Sequence, residues 1–477
     1  DSAWVDQNAG WSVTNMTVSA TTWTQDGALI CDVLDVSGGS WTQNGTLDVR
    51  DLRVGDLTWT QNNTLTVGEP SLSVSNCTWT QSGTLTVSNL TVTGGAWDMN
   101  TNLVVHSLSS SNTTWTQDYE LTLANLELHD LTWTVNAPLT ITDAFIRSGL
   151  TLRQNAAVVF PTDDLVIDGW TYVLNGSQTW DRVEVLNGGA ITHDAASAGI
   201  QLTANTVVVD SNSTIDVTSK GNHRQATGRA GGSHGGLGYH YGGTPDATHG
   251  SLREPSDLGS RGANTRGGGR VRLTAGTLEL EGAIVADGQV YASNYGGHGS
   301  GGSVWLDVGT LTGAGEIRAN GAGSAQYQTS GGGGGRIAIY YDDASGFDLA
   351  GAVHCRGGNG YAGYDGGAGT VYLKDNAEAL GVVRIDNESM GTGSANCELL
   401  EALSEAVYVD RARVVFNEPV TSQVVEVNSA WVDQNAGWSV TNLSVSATTW
   451  TQDGALSCEV LDVSGGSWTQ NGTLDVR

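Results

Sequence analysis

Apolar and polar residues alternate along much of this chain, in short runs that repeat. Tryptophans fall at Trp23, Trp41, Trp59, Trp79, Trp97, Trp115 and Trp133, at steps of 18, 18, 20, 18, 18 and 18 residues. Inside a repeat the register is nearly fixed: Trp41 leads to Leu47, Leu52 and Trp59, and Trp79 to Leu85, Leu90 and Trp97. The motif reads T-W-T-Q-x-x-x-L-x-V-x-x-L-x-V. A period of two puts Trp, Leu and Val on one face of a strand and Thr on the other. Three such segments separated by bends predict a triangular coil. One coil cannot bury its own apolar face, so coils must stack, with parallel, in-register strands about 4.8 Å apart.

Gln25, Gln43, Gln61, Gln81 and Gln117 stand two residues after a tryptophan and share its face. A ladder of such glutamines in stacked coils can satisfy its amides with the coils above and below. An exposed tryptophan stripe would suit stacking on sugar rings, but these tryptophans alternate in phase with the apolar face, which predicts a core stripe.

A second pattern follows. Between 149 and 219 the period loosens while strands continue. Then Val271, Val304, Ile337 and Val371 recur at steps of 33, 33 and 34, each after a glycine-rich run, and the first three lead to a second strand. Glycine permits the turns and close backbone approach that stacked loops demand. The expected fold is all-β, a parallel β-helix or β-solenoid whose triangular coils of 18 residues give way to glycine-rich coils of 33. The stretch 398–406 has the composition of a short helix.

The segments "TWDRVEVLNGGAITH", "TIDVTSKG", "GGSVWLDVGTLTGAGEIRANGAG" and "GGGGGRIAIYY" resemble glycine-rich parallel β-helix segments of very large adhesin-like surface proteins of microbes. The resemblance spans roughly 175–375. It implies a β-helix located outside the cell or at its surface, and no defined activity.

A longer repeat encloses the short one. Residues 1–50 recur at 428–477 with five differences: Asp1/Asn428, Met16/Leu443, Thr17/Ser444, Ile30/Ser457 and Asp32/Glu459. The chain therefore reads as one 427-residue unit and the opening of the next, a window on a tandem array. It divides into a Trp-repeat solenoid (1–148), irregular coils (149–219), a glycine-rich β-helix (220–376), a connecting β segment (377–427) and the start of the next copy (428–477). With 17–22 coils, one unit is expected to advance about 80–105 Å. The first residue is Asp1 rather than Met and no leader is visible, so the sequence reads as a piece of something longer or processed.

Charge narrows the partners. The net charge is -29 with two lysines, Lys220 and Lys374, which argues against nucleic acid or an anionic membrane surface. No run of 18 apolar residues is present, so no transmembrane segment is expected. Self-association, as tandem copies in one chain or as a homopolymer, is the expected partnership. The five cysteines lack C-x-x-C spacing and read as buried thiols or as disulfides of undetermined connectivity.

The stretch 220–272 departs from the rest. It holds one Lys and seven Arg against three acids, a local charge of +5 where the remainder carries -34. Its His223, Arg224, Arg229, His234, Tyr239, His240, Tyr241 and His249 suit a projecting lateral-contact loop for a neighbouring acidic fibre, a glycan or a cell surface, with a packed or mobile surface loop as the alternative. The histidines lack H-x-x-x-H or similar spacing, so no structured transition-metal site is expected. "GGNGYAGYD" from Gly357 looks like one calcium nonapeptide, but Ala362 takes the acidic position, leaving only weak, scattered Ca²⁺ binding to the acidic surface. No cofactor is expected.

Asp163 with Asp164, and Asp342 with Asp343, are adjacent pairs. Neighbours on a strand point to opposite faces, so neither pair converges as a glycan-cleaving site would require, and no enzyme activity is expected. Eleven N-x-S/T sequons occur, at Asn15, Asn44, Asn62, Asn76, Asn89, Asn112, Asn175, Asn212, Asn387, Asn442 and Asn471, and are candidate glycosylation sites. The expected function is structural, a repeat unit of an extracellular filament continued end to end; an adhesin stalk and, less favoured, a polysaccharide lyase or hydrolase are the alternatives.

Overall fold

A computed structural model describes residues 3–68, 71–390 and 395–477. Apart from two single-turn 3₁₀ segments, Tyr361–Gly363 and Glu388–Met390, the regular elements among the described residues are strands. The chain forms two compact units, 1–174 and 175–477, and both are stacks of β coils.

In the first unit the tryptophan register predicted from the sequence is the observed pairing. Val5, Trp23, Trp41, Trp59, Trp79, Trp97, Trp115, Trp133, Leu152 and Tyr172 pair successively in parallel. The column thus runs two levels past the last tryptophan of the motif, with Leu152 and Tyr172 in the same slot. From Trp23 to Trp133 the indoles stack with centroids 4.7–5.2 Å apart and planes within 14°. They are buried, so the core reading of the stripe holds.

The glutamines are buried, and their amides bond to bend carbonyls and to the neighbouring coil. Gln25 Nε2 donates to the carbonyls of Gly27 in its own bend and Thr46 in the next coil, and Gln43 Nε2 does the same to Gly45 and Thr64. The amide oxygen is left for the indole above: Trp97 Nε1 donates to Gln81 Oε1 at 3.2 Å and Trp133 Nε1 to Gln117 Oε1 at 3.1 Å. The bends expose carbonyls that no strand partner reaches, and a buried carbonyl without a donor costs more than an amide pair returns. Trp23, Trp41 and Trp59 Nε1 and Gln7, Gln25 and Gln43 Oε1, which stand at this same offset, are unpaired.

One corner per coil takes a left-handed backbone. Ala20, Gly38, Asp56, Asn76, Gly94, Asn112, Asp130 and Gly149 all have φ between 47° and 72°. Gly, Asn and Asp adopt this conformation at least cost, which explains their recurrence at that position. Outside the bends a polar ladder runs between coils, as in Asn62 Nδ2 to Asn44 Oδ1 and Asn44 Nδ2 to Asp26 Oδ1.

In the second unit Ile200, Val271, Val304, Ile337 and Val371 form the parallel column that the glycine-rich spacing predicts. A departure follows. Strand Thr370–Asp375 turns back and pairs antiparallel with Val382–Asp386, Tyr372 facing Val383. Cross-strand partners lie on the same side of a sheet. Val383 and Ile385 therefore lie on the side of Ala338 and Tyr372, opposite to Ile337 and Val371. A second core builds there, from Leu252, Ala338 and Tyr372 through Val383, Val407, Val425 and Trp438 to Trp450. One sheet carries a core on each face, and the coils after 381 use the face that the glycine-rich coils left outside. The helix expected over 398–406 does not form: Cys397–Leu399 and Ala406–Asp410 are strands that pair with Arg413–Phe416 and Val420–Asn428. Register with neighbouring coils overrides local propensity.

All five cysteines are buried free thiols. Cys31 Sγ donates to Val33 O and Cys77 Sγ to Ser75 O, so they are packing residues and not bridges.

Candidate functional sites: two open coil faces and a glycine platform

The duplicated fifty-residue sequence occurs in two complementary states. In the copy at 428–477, strand Trp431–Gln434 lies on Arg413–Phe416 and Trp438–Gln452 lies on Val420–Asn428. Trp438 packs edge-on against Phe416 and is 3% exposed. Its counterpart Trp11 is 40% exposed, and Trp4 is 76% exposed where Trp431 is 36%. The other edge shows the reverse. Val36 is 2% exposed beneath the coil that follows it, while Val463 is 47% exposed. Gln43 is buried and Gln470 exposed. Each copy thus displays bare the face that the other has covered.

Of the two expectations for the stretch 220–272, the packed loop is what forms, not a free projection. It lies in the coil between Ile200 and Val271 and packs across the glycine runs of the next coils. Gly268 N donates to Ser300 O, Gly301 N to Gly333 O and Gly334 N to Gly367 O, so the runs themselves stack as a ladder. The insertion crosses it: Gly232 N donates to His298 O, Gly333 N to Gly232 O and Gly235 N to Gly334 O. A Cβ on Gly333 would lie 1.9 Å from Gly236 O, so the close approach admits no side chain. The far end is clamped. Arg253 Nε and Nη2 donate to both oxygens of Glu405 at 2.7 and 2.9 Å, and Nη1 donates to Glu401 at 2.8 Å.

This packing sorts the proposed lateral-contact residues. His223, Arg224 and His240 are exposed, and Arg229, Tyr239 and Tyr241 half-buried. His234 and His249 are buried and offer nothing to a lateral partner, which corrects that expectation. The outer rim is aromatic. Tyr241 and Tyr239 stack on Tyr364, at 4.5 and 5.1 Å; Tyr361, Tyr327 and Tyr295 continue the row; and the Arg229 guanidinium sits 4.7 Å over the Tyr295 ring.

The metal expectation rested on sequence spacing, and the fold brings together what that spacing separates. One donor atom from each of His223, His249 and Asp257 lies within 4.8 Å of the others. His249 is sandwiched between His223 and His234, with ring centroids 4.3 and 4.6 Å away. No linear motif signals this, because the histidines converge only through the folding of the insertion.

The paired aspartates serve the scaffold. Asp342 Oδ1 accepts from Asn376 Nδ2 and Asp343 Oδ1 from the Ser345 amide, and Asp163 and Asp164 are exposed. Among the sequons, Asn387 is buried, with Nδ2 donating to Gly366 O, and is closed to a glycosyltransferase. Asn44, Asn62, Asn76, Asn175 and Asn471 spend their Nδ2 donors on neighbouring coils. Asn15, Asn112, Asn212 and Asn442 are exposed, and Asn89 half-buried.

Burial depresses the His298 imidazole to about 4, and pushes His193 down as well. A histidine titrating lower in the folded than in the unfolded chain stabilises the fold above its unfolded value, and that stability is lost as pH falls toward the folded one. Between pH ~6.5 and ~4, His298 alone should cost about 3 kcal/mol. Urea unfolding at pH 7 and pH 4.5 checks this. The native chain should lose more stability on acidification than a His298→Gln variant, and equal losses would refute the assignment.

No protein-family model matches the chain, and no match was found among curated proteins or among solved structures.

Proposed function

We propose that this chain is a structural repeat of a filament or surface fibre outside the cell, in which each 427-residue unit is continued end to end by the next. The reciprocal exposure of the duplicated segment carries this reading. The bare face around Trp4 and Trp11 has the sequence of a face that sits on strands Arg413–Phe416 and Val420–Asn428 in the second copy. The bare face around Val463 and Trp468 has the sequence of one covered by Leu47–Gly55 and Thr58–Gln61 in the first. An open sheet edge is a template for another chain, and covering it with the next copy removes that hazard. Covalent continuation in one polypeptide is the favoured route, with stacking of separate chains as the other.

Negative-stain imaging of the concentrated, purified chain tests the reading. Rods or filaments with an axial repeat of about 80–105 Å are expected. Dispersed particles that never associate end to end, at any concentration, would count against it.

A second reading, an adhesin-like stalk, draws on the tyrosine row. A row of half-buried rings with Tyr327 and Tyr295 exposed, ending at a guanidinium, suits sugar faces and acidic glycans. In a glycan-array screen, binding lost on Tyr327→Ala and Tyr364→Ala together would support it, and no binding to any glycan would leave the scaffold role alone.

A further inference from the structure

We propose that His223, His249 and Asp257, with the buried His234 behind them, bind one divalent transition-metal ion of the zinc class, which ties the start, middle and end of the insertion together. The four residues span the insertion. His223 opens it, His234 and His249 lie within it, and Asp257 precedes its return to the coil at Val271.

Three observations point to a cation. The donors of His223, His249 and Asp257 lie within 4.8 Å of one another, and neither the Asp257 carboxylate nor the His223 ring makes a hydrogen bond or ion pair among the described residues. His234 is fully buried; its Nδ1 faces Gly301 O at 3.0 Å, which fixes the proton there, and its Nε2 is left without a partner. A Cβ built on Gly250 would lie 3.2 Å from that Nε2, 3.3 Å from Asp257 Oδ2 and 3.5 Å from Arg336 Nε, so the three atoms border one space kept open by a glycine. Finally, both nitrogens of His249 face carbonyls, those of Ala247 and Leu258, at 3.4 and 3.3 Å. A neutral imidazole has one N–H and can satisfy only one of them.

The chemistry selects the metal. Two or three imidazoles with one carboxylate suit Zn²⁺, and equally the probes Co²⁺ and Ni²⁺, rather than Ca²⁺ or Mg²⁺. Arg336, whose Nε donates to His249 O at 2.7 Å, opposes a cation here; Asp257 offsets it. Bonds of about 2.0–2.1 Å require the donors to close in, and the exposed His223 ring supplies that movement by swinging out of its stack on His249.

Titrating the full chain with Co²⁺ and then competing with Zn²⁺ tests the site. One ion per chain is expected, with visible absorption of nitrogen- and oxygen-ligated Co²⁺ that Zn²⁺ abolishes. His223→Ala, a substitution at an exposed ring, and Asp257→Asn should each weaken binding by more than the roughly 10–100-fold of an outer-shell loss. His240→Ala, outside the cluster, should leave it unchanged. Zn²⁺ should also slow proteolysis within the insertion, and a chelator should restore it. No saturable binding, or binding that survives both His223→Ala and Asp257→Asn, would overturn the proposal.

Discussion

Replacing Trp79 by alanine should lower the stability of the first unit by about 3–5 kcal/mol, the cost of emptying a fully buried large aromatic position. Trp79 is buried between Trp59 and Trp97, both with centroids 4.7 Å away, so truncation removes two stacking contacts at once. It also strands Gln61 Oε1, which accepts the Trp79 indole N–H. Because each coil rests only on its neighbours, the loss is local, and it should split the unit's unfolding rather than shift it as a whole. Trp4→Ala removes an indole already 76% exposed and should be near neutral in the isolated chain. Denaturant unfolding followed by tryptophan fluorescence separates the two. Equal effects would mean that the indole column is not what binds the coils.

Arg253→Ala should be of similar size, about 3–5 kcal/mol, by a different mechanism. Glu405 has its side chain 4% exposed and is held by two hydrogen bonds from one guanidinium. Burial alone would push this carboxyl up, but the Arg253 bonds and charge outweigh it and hold it below its ordinary value. Removing the arginine leaves a buried carboxylate without its cation, the costly way to break such a pair. The clamp also anchors the insertion, since Tyr340 Oη donates to Arg253 O. The variant should therefore show faster proteolysis between 237 and 258 as well as lower stability. Arg253→Lys keeps the charge but not the fork, and should recover only part of the loss. Unchanged proteolysis would place the anchor elsewhere.

The sequence revealed most of the scaffold and little of its decoration. The tryptophan column and the glycine-rich register were legible because solenoid coils pair with themselves, so a period in the chain is a register in the fold. The partners of the amides are not legible, because periodicity places Gln61 on the inner face but does not show which bend carbonyls lack donors. The change of face at Tyr372 had a trace: "RIAIYY" fills both parities of the strand, as a sheet buried on both sides requires. The clamp between Arg253 and Glu405 and the histidine cluster left none. They join residues brought together only when the insertion crosses the glycine runs, and no local pattern encodes that crossing. The composition of 398–406 suggested a helix because register with Arg413–Phe416, which decides that stretch, is a non-local contact.

The central claim, that the face bare at Val463 and Trp468 belongs under a further coil, has a direct test. Residues 51–148 would be appended after Arg477, giving the second copy the coils that follow the first. Acrylamide quenching and hydrogen exchange would then be read at Trp468 and at strand Leu456–Gln470. Trp468 should become as shielded as Trp41, 1% exposed, and the amides of this strand should gain protection at the same chain concentration. Trp468 remaining open to quencher, with no new protection along the strand, would contradict it.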